Sequence, residues 1–311
     1  MSNAPQSNAR RQQVLPNRTA TRVVAHRGAS GTLAEHTLAA YKLAVDQGAD
    51  ALECDVRLTA DGHLVCVHDR RVDRTSNGRG VVSTLELAQL SELDFGSWKA
   101  GRGAAADSAA DSQVGSAAES QVDSAADSRV GSAIDPDEAD WADVEHTLVL
   151  TLERLLEFAT TCGRRIELAI ETKHPTRYAG LVERKLLELL HRFDLVTPAD
   201  GERTPVRIMS FSQLSLRRVR ELAPAIPTVF LMERVPLRFR DGSLPHGARI
   251  AGPGIDLVRA NPGYVAALHR AGQRVHVWTV DDPEDVELCL RLGVDTIITN
   301  HPRRVLDQLG R

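Results

Sequence analysis

Nowhere in its 311 residues does the chain hold the roughly 18 consecutive apolar residues that a membrane-spanning helix requires, so no membrane span is expected. Cysteine is scarce. Cys54, Cys66, Cys162 and Cys289 include no Cys-x-x-Cys pair, and three of the four lie in apolar runs. That argues against a disulfide framework or a cysteine zinc site and for reduced thiols packed as small hydrophobes. A large charge of one sign is also missing. The formal net charge is −4, which offers nothing for a nucleic-acid backbone. The N-terminal segment "MSNAPQSNARRQQVLPNRTATR" is basic but has no apolar core, so it does not read as a secretory signal. Residues 1–21 read as a disordered tail, and a cytoplasmic location is the expectation.

What is present is a hydrophobic content of 42%, enough for a sizeable core, and an uneven distribution of charge. Residues 101–145 carry eleven acidic and two basic side chains, a net of −9, which leaves the remainder at about +5. A mildly basic body suits an anionic substrate. Within residues 100–140, "ADSAADSQVGSAAESQVDSAADSRVGSA" repeats a short Asp/Ser/Ala/Val/Gly unit and has too few large apolar residues to offset the entropy of ordering. It reads as a disordered low-complexity insertion in a loop. Its acidity makes it a candidate contact for a basic protein partner.

Elsewhere short β-branched runs alternate with amphipathic segments. "RVVAHR", "ADALECDVRL" and "HLVCVHD" read as the first three strands. A helix is expected over 34–47, with Thr32 and Glu35 at capping-box spacing and Gly48 at its end. Further strands are expected at 165–171, 206–211, 228–232, 274–280 and 294–300, with a short apolar run at 255–260. Helices are expected over 151–162, 176–193, 212–222, 262–271 and 283–292, and at the C-terminus. About eight strands alternating with helices fit a parallel (β/α)8 TIM barrel spanning residues 22–311. The structural alternative is a doubly wound open sheet, but "HRGASG" after the first strand lacks G-x-G-x-x-G spacing.

The polar residues that end or interrupt these apolar runs carry the chemistry. Glu53 and Asp55 alternate around Cys54 and therefore share one face of a strand. Two such carboxylates repel unless a cation lies between them, and oxygen-only ligation suits Mg2+ or Ca2+ rather than zinc. Glu171, at the end of "ELAIE", is the best third ligand, and Lys173 should point the same way. His26 and His68 suit acid and base roles, since imidazole titrates near neutrality. Arg27 offers a planar fork for phosphate oxygens. Trp278 and Phe211 are candidate pocket walls, and His276 shares the face of Trp278 as a minor candidate. His36, His174 and His301 read as surface or capping residues.

The ordered segments "AHRGASG", "ECDVRLTADGHLVCVHD", "AIETK", "VWTV" and "TNHP" resemble the glycerophosphodiester phosphodiesterase family of TIM barrels, over about residues 22–306. The resemblance implies hydrolysis of a glycerophosphodiester to sn-glycerol 3-phosphate and an alcohol. It implies that His26 and His68 form the acid–base pair and that Glu53, Asp55 and Glu171 hold one divalent cation. It further implies that Arg27 and Lys173 contact phosphate and that Trp278 lines the glycerol pocket. One departure stands out: where the family usually reads Pro-Glu-Asn-Thr, this chain reads Ala34-Glu35-His36-Thr37. Two other readings stay open, a phosphodiesterase of the same barrel class acting on lysophospholipids and a non-catalytic barrel that binds glycerophosphodiesters.

Overall fold

Alternation along each strand decides which side chains meet. In β1 (Arg22–His26), Val24 joins an inner apolar cluster with Ala51, Ala169, Met209, Val229, Leu231, Ile250 and Ile298, whereas Val23 and Ala25 pack outward against helices. The same two-faced burial recurs around a closed sheet, which is why the strands read as nearly continuous apolar runs. The computed structural model describes residues 21–99, 147–174, 176, 180–197 and 204–311. The tail at 1–21 (but for Thr21) and the acidic insertion at 100–140 lie outside the described residues.

Eight parallel strands close the barrel. β1 is followed by β2 (Ala51–Leu58), β4 (Glu167–Thr172), β5 (Val206–Ser210), β6 (Thr228–Met232), β7 (Ile250–Pro253), β8 (Arg274–Val277) and β9 (Thr296–Thr299), and β1 pairs with both β9 and β2. The helices between them cover the outside: α1 (Leu38–Asp46), α3 (Leu152–Thr161), α4 (Leu181–Arg192), α5 (Gln213–Leu222), α6 (Ile255–Ala260), α7 (Gly263–Arg270), α8 (Pro283–Leu292) and α9 (Pro302–Leu309). A short α2 (Leu87–Ser91) lies in the excursion after β2. The expected TIM barrel is the observed fold.

Three expectations change in detail. The third strand, β3 (Leu64–Cys66), is not a barrel strand: it pairs antiparallel with the projecting end of β2, Val56 opposite Cys66. The run at 255–260 is a helix, α6, and the sixth barrel strand, β7, is the preceding "IAGP", whose glycine and proline hid it from the pattern. The first helix starts at Leu38 rather than 34. Thr37 is its N-cap and accepts from the Ala40 amide. His36 has φ 61°, a left-handed conformation that an α-helix cannot contain, so Glu35 is free of capping duty.

The excursion that holds α2 returns to the barrel at a defined point. The Phe95 amide donates to the Thr147 carbonyl at 2.7 Å, and Cys66 donates to the Leu150 carbonyl at 2.8 Å. A separate apolar cluster of Val65, Val67, Val72, Val82, Leu90, Phe95 and Val149 seats this stem over β3.

Candidate active site

Register brings the first three strands' polar ends together. His26 is opposite Glu53 in the β1–β2 pair, and Asp55 is opposite Glu171 in the β2–β4 pair. All are inward positions near the carboxyl ends of strands, where TIM barrels keep their chemistry. Glu53, Asp55 and Glu171 are buried, and one oxygen from each lies within 4.8 Å of the other two.

Arg27 and Lys173 reach the same carboxylates. Arg27 Nε is 3.0 Å from Asp55 Oδ2, and its backbone amide donates to Glu53 Oε2 at 3.0 Å. Lys173 Nζ lies 2.9 Å from Glu171 Oε1 and 3.3 Å from Asp55 Oδ1. Burial disfavours the charged form of every group here, and the partners decide which yields. Burial works against the Asp55 anion, but Lys173 and Arg27 hold its pKa well below the usual range. Glu53 is pushed well above its ordinary value by burial and then by Asp55. Glu171 is pushed up to about 7 by burial, with Lys173 opposing. With all three carboxylates ionised they would outnumber the two cations beside them by one charge, and burial resists that state as long as no further cation is bound. This surplus, together with an all-oxygen donor set, fits a hard dication such as Mg2+ or Ca2+.

The two histidines arrive by different routes. His26 ends β1 and has Nε2 3.9 Å from Glu53 Oε2. Its Nδ1 is 2.8 Å from Asn300 Oδ1, and the Asn300 amide nitrogen donates to Asp281 at 2.6 Å. That second bond fixes which way the Asn300 amide faces, so His26 carries its proton on Nδ1 and turns Nε2 to the carboxylates. His68 comes in on the chain returning from β3. The Val67 amide donates to the Asp55 carbonyl at 3.1 Å, and Arg57 Nε donates to the His68 carbonyl at 3.0 Å. Asp69 Oδ1 accepts from His68 Nδ1 at 2.7 Å, so Nε2 is the unprotonated nitrogen of the neutral ring. Burial and then Arg27 lower the His68 pKa.

A chain of ion pairs joins the carboxylate triad to His68. Arg27 Nη1 contacts Glu35 at 3.2 Å, Glu35 takes Arg74 at 2.7 and 2.8 Å, and Arg74 Nε holds Asp69 Oδ2 at 2.6 Å. Glu35, freed from the helix cap, is the centre of this chain.

His36 corrects the expectation of a surface or capping residue. It is 5% exposed; its Nε2 lies 3.0 Å from Asp55 Oδ2 and its Nδ1 2.8 Å from the Tyr41 hydroxyl. Burial lowers its pKa, with Asp55 pulling the other way. The ring donates from Nε2 to Asp55, and the Tyr41 hydroxyl at its Nδ1 in turn donates to the Glu53 carbonyl at 3.0 Å. His174 pairs with Glu183 at 3.3 Å on the helix side, and the ring of His301 packs over Gly31.

Trp278 and Phe211 meet edge to face at the mouth, 5.4 Å between centroids, and Trp278 Nε1 donates to the Gly252 carbonyl at 2.7 Å. Phe211 is 41% exposed, which rules out barrel core packing for it. His276, though on the inward face, lies two residues deeper and points into the opposite end of the barrel. Asn300, Asp281, Arg74 and Tyr41 were not picked out by residue type and spacing. Only "TNHP" hinted at Asn300.

Comparison with known proteins agrees with this geometry. The Glycerophosphoryl diester phosphodiesterase family matches residues 26–304. A Mycobacterium tuberculosis protein named "Probable glycerophosphodiester phosphodiesterase 1" is 42% identical over 282 residues, covering 91% of this chain and 90% of its own. The glycerophosphodiester phosphodiesterase of Bacillus subtilis is 33% identical over 289 residues, covering 92% and 85%. Among solved structures, an Oleispira antarctica phosphodiesterase in complex with the product sn-glycerol-3-phosphate shares the fold, with TM-score 0.70, 22% identity and coverage of 94% and 98%. With a match across nearly all of the chain and a relative at 42% identity, the protein belongs to the glycerophosphoryl diester phosphodiesterase family.

Proposed function

We propose that this chain hydrolyses glycerophosphodiesters to sn-glycerol 3-phosphate and an alcohol, with His26 and His68 as the acid–base pair. The observation that carries the reading is the buried triad of Glu53, Asp55 and Glu171 beside His26, on adjacent strands of a barrel that belongs to this family. The three carboxylates would hold one divalent cation, Mg2+ or Ca2+, whose contribution when bound is to polarise the phosphoryl group.

The chain's own residues account for the remaining chemistry. Arg27 and Lys173, already beside the triad, stabilise negative charge on the non-bridging oxygens. Each imidazole has a side-chain oxygen at Nδ1, and Nε2 would serve the proton transfers. One takes a proton from the attacking hydroxyl while the P–O bond to the alcohol breaks; attack by water gives glycerol 3-phosphate directly, and attack by the glycerol 2-hydroxyl gives a cyclic phosphate that water then opens. The other gives its proton to the departing alkoxide. Trp278 and Phe211 wall the mouth and orient the glycerol end.

The test is a coupled assay for glycerol 3-phosphate release from glycerophosphocholine, first in chelator and then with Mg2+ or Ca2+ added. Lysophosphatidylcholine serves as the competing substrate. Release that needs the cation supports the reading. Turnover unaffected by chelator refutes the cation's role, and choline release from the lysophospholipid alone moves the substrate to the acylated class.

A further inference from the structure

The opposite, N-terminal mouth of the barrel holds a second set of charged side chains. Arg22, Glu167 and Arg207 each stand two residues before an inner-cluster residue, respectively Val24, Ala169 and Met209. By strand alternation they therefore project into the lumen. His276 and Arg274 stand two and four residues before Trp278, which also packs on that cluster. Glu167 is 2.9 Å from Arg22 and 2.8 Å from Arg207. Arg274 is exposed and has no ion-pair partner among the described residues. Three guanidinium charges thus face one carboxylate, a surplus of two positive charges. The acids at the rim have closer partners of their own: the Asp50 carboxylate lies 2.7 Å from Arg311, with Arg22 donating to the Asp50 backbone carbonyl at 3.3 Å, and Asp295 lies 3.5 Å from His269.

The hydrogen-bonding groups tell the same story independently. Arg207 is 8% exposed and His276 2% exposed. Arg207 Nε and Nη2, Arg22 Nε and His276 Nδ1 are buried and have no hydrogen-bond partner among the described residues. A buried polar group without a partner is costly, and more so when it is charged. Several in one mouth call for an acceptor that the described residues do not supply. Burial, and then Arg207, Arg274 and Arg22, drive the His276 pKa well down, so His276 adds no charge but keeps one ring N–H to donate. Guanidinium forks match the geometry of oxyanions. Directly above, Val24, Ala51, Ala169, Met209 and Ile250 close the lumen, which limits any ligand to a compact ion.

We propose that the N-terminal mouth of the barrel is a binding site for a free, doubly charged oxyanion such as inorganic phosphate, held by Arg22, Arg207 and Arg274 with His276 donating from above. The site is independent of the hydrolase reading. It bridges β1, β5 and β8, and residues at this face of a TIM barrel serve stability rather than chemistry. Its occupancy therefore tunes the stability of the fold and leaves turnover alone.

The experiment is thermal unfolding of the full chain in phosphate against sodium chloride at matched ionic strength. It is run on the wild type, Arg274→Ala and Lys173→Ala. Arg274 is exposed, so its replacement should fold, and undiminished turnover checks this. Lys173→Ala controls for phosphate bound at the candidate active site. The expected result is a Tm rise of roughly 3 °C at ten times Kd in the wild type and Lys173→Ala, lost in Arg274→Ala. No shift in the wild type, or any other distribution of the shift among the three proteins, overturns the site.

Discussion

Replacing His36 by alanine should weaken cation binding without disabling the chemistry. The ring donates from Nε2 to Asp55 Oδ2, at 3.0 Å, and its Nδ1 lies 2.8 Å from the Tyr41 hydroxyl. That hydroxyl also lies 3.0 Å from the Glu53 carbonyl, so one rigid path joins the two carboxylate-bearing positions of β2. In His36→Ala, Asp55 keeps Arg27 at 3.0 Å and Lys173 at 3.3 Å and so stays ionised. What it loses is one of the two contacts that direct Oδ2, the other being Arg27 Nε. A hydrogen bond to a charged group contributes about 1.5–3 kcal/mol. Partners of metal ligands typically matter by about 10–100-fold in affinity, which is the same range expressed as a ratio. Calorimetric titration of chelator-treated protein with Mg2+ and Ca2+ should therefore show Kd raised about 10–100-fold. Turnover at saturating cation should stay within roughly tenfold of wild type, since no reacting group is removed. His36→Asn, which retains a short amide donor, should recover most of the affinity. A folded His36→Ala variant with wild-type cation affinity would refute the reasoning, as would a loss of turnover that no concentration of cation restores.

Further outcomes can be checked alongside. His26→Ala and His68→Ala should each lower kcat by about 10²–10⁴ with the circular dichroism spectrum unchanged; near wild-type turnover in both would end their assignment as acid and base. Cation at a hundred times its Kd should stabilise the fold by about 2.7 kcal/mol, so chelation should lower the Tm, and an unmoved Tm would count against the triad as ligand set. Glu183 lies on the helix side, away from the site. Burial pushes its pKa up, but His174, its own backbone and Ser215 outweigh that and hold it at about 2, against 4.5 ordinarily. Because the folded-state value is depressed, its contribution, on the order of 3 kcal/mol, is complete above about pH 5 and is lost as the pH falls toward 2. Urea unfolding at pH 7, 4 and 2.5 should show that slope, and Glu183→Gln should flatten it.

The alternation of apolar strands and helices was enough to name the barrel, and the strand-end polar residues were enough to name the triad. Glu53, Asp55 and Glu171 sit inside otherwise apolar β-strands, where a charge is conspicuous. The pattern failed where an element broke its own rule. "IAGP" forms β7 despite glycine and proline, because strand pairing on both sides overrides local propensity. β3 has a strand's composition, but only pairing could tell that it runs antiparallel and delivers His68 from above the rim. His36 was read as surface because its role depends on a left-handed backbone that no spacing rule reveals. The arginines of the N-terminal mouth look like ordinary surface charges one at a time, and only barrel closure assembles them.

The stem between Phe95 and Thr147 has one more implication. Because a main-chain hydrogen bond of 2.7 Å ties the two sides together, the distance between the segment's ends is set by the barrel and not by whatever joins them. Removing chain from this position or grafting chain into it therefore costs little entropy, since closure over a fixed gap depends only weakly on contour length. Phe95, Val149 and Leu150 border the same small cavity as Glu35, His36 and His68, so a reporter grafted at this junction would sit close enough to sense events in that cavity.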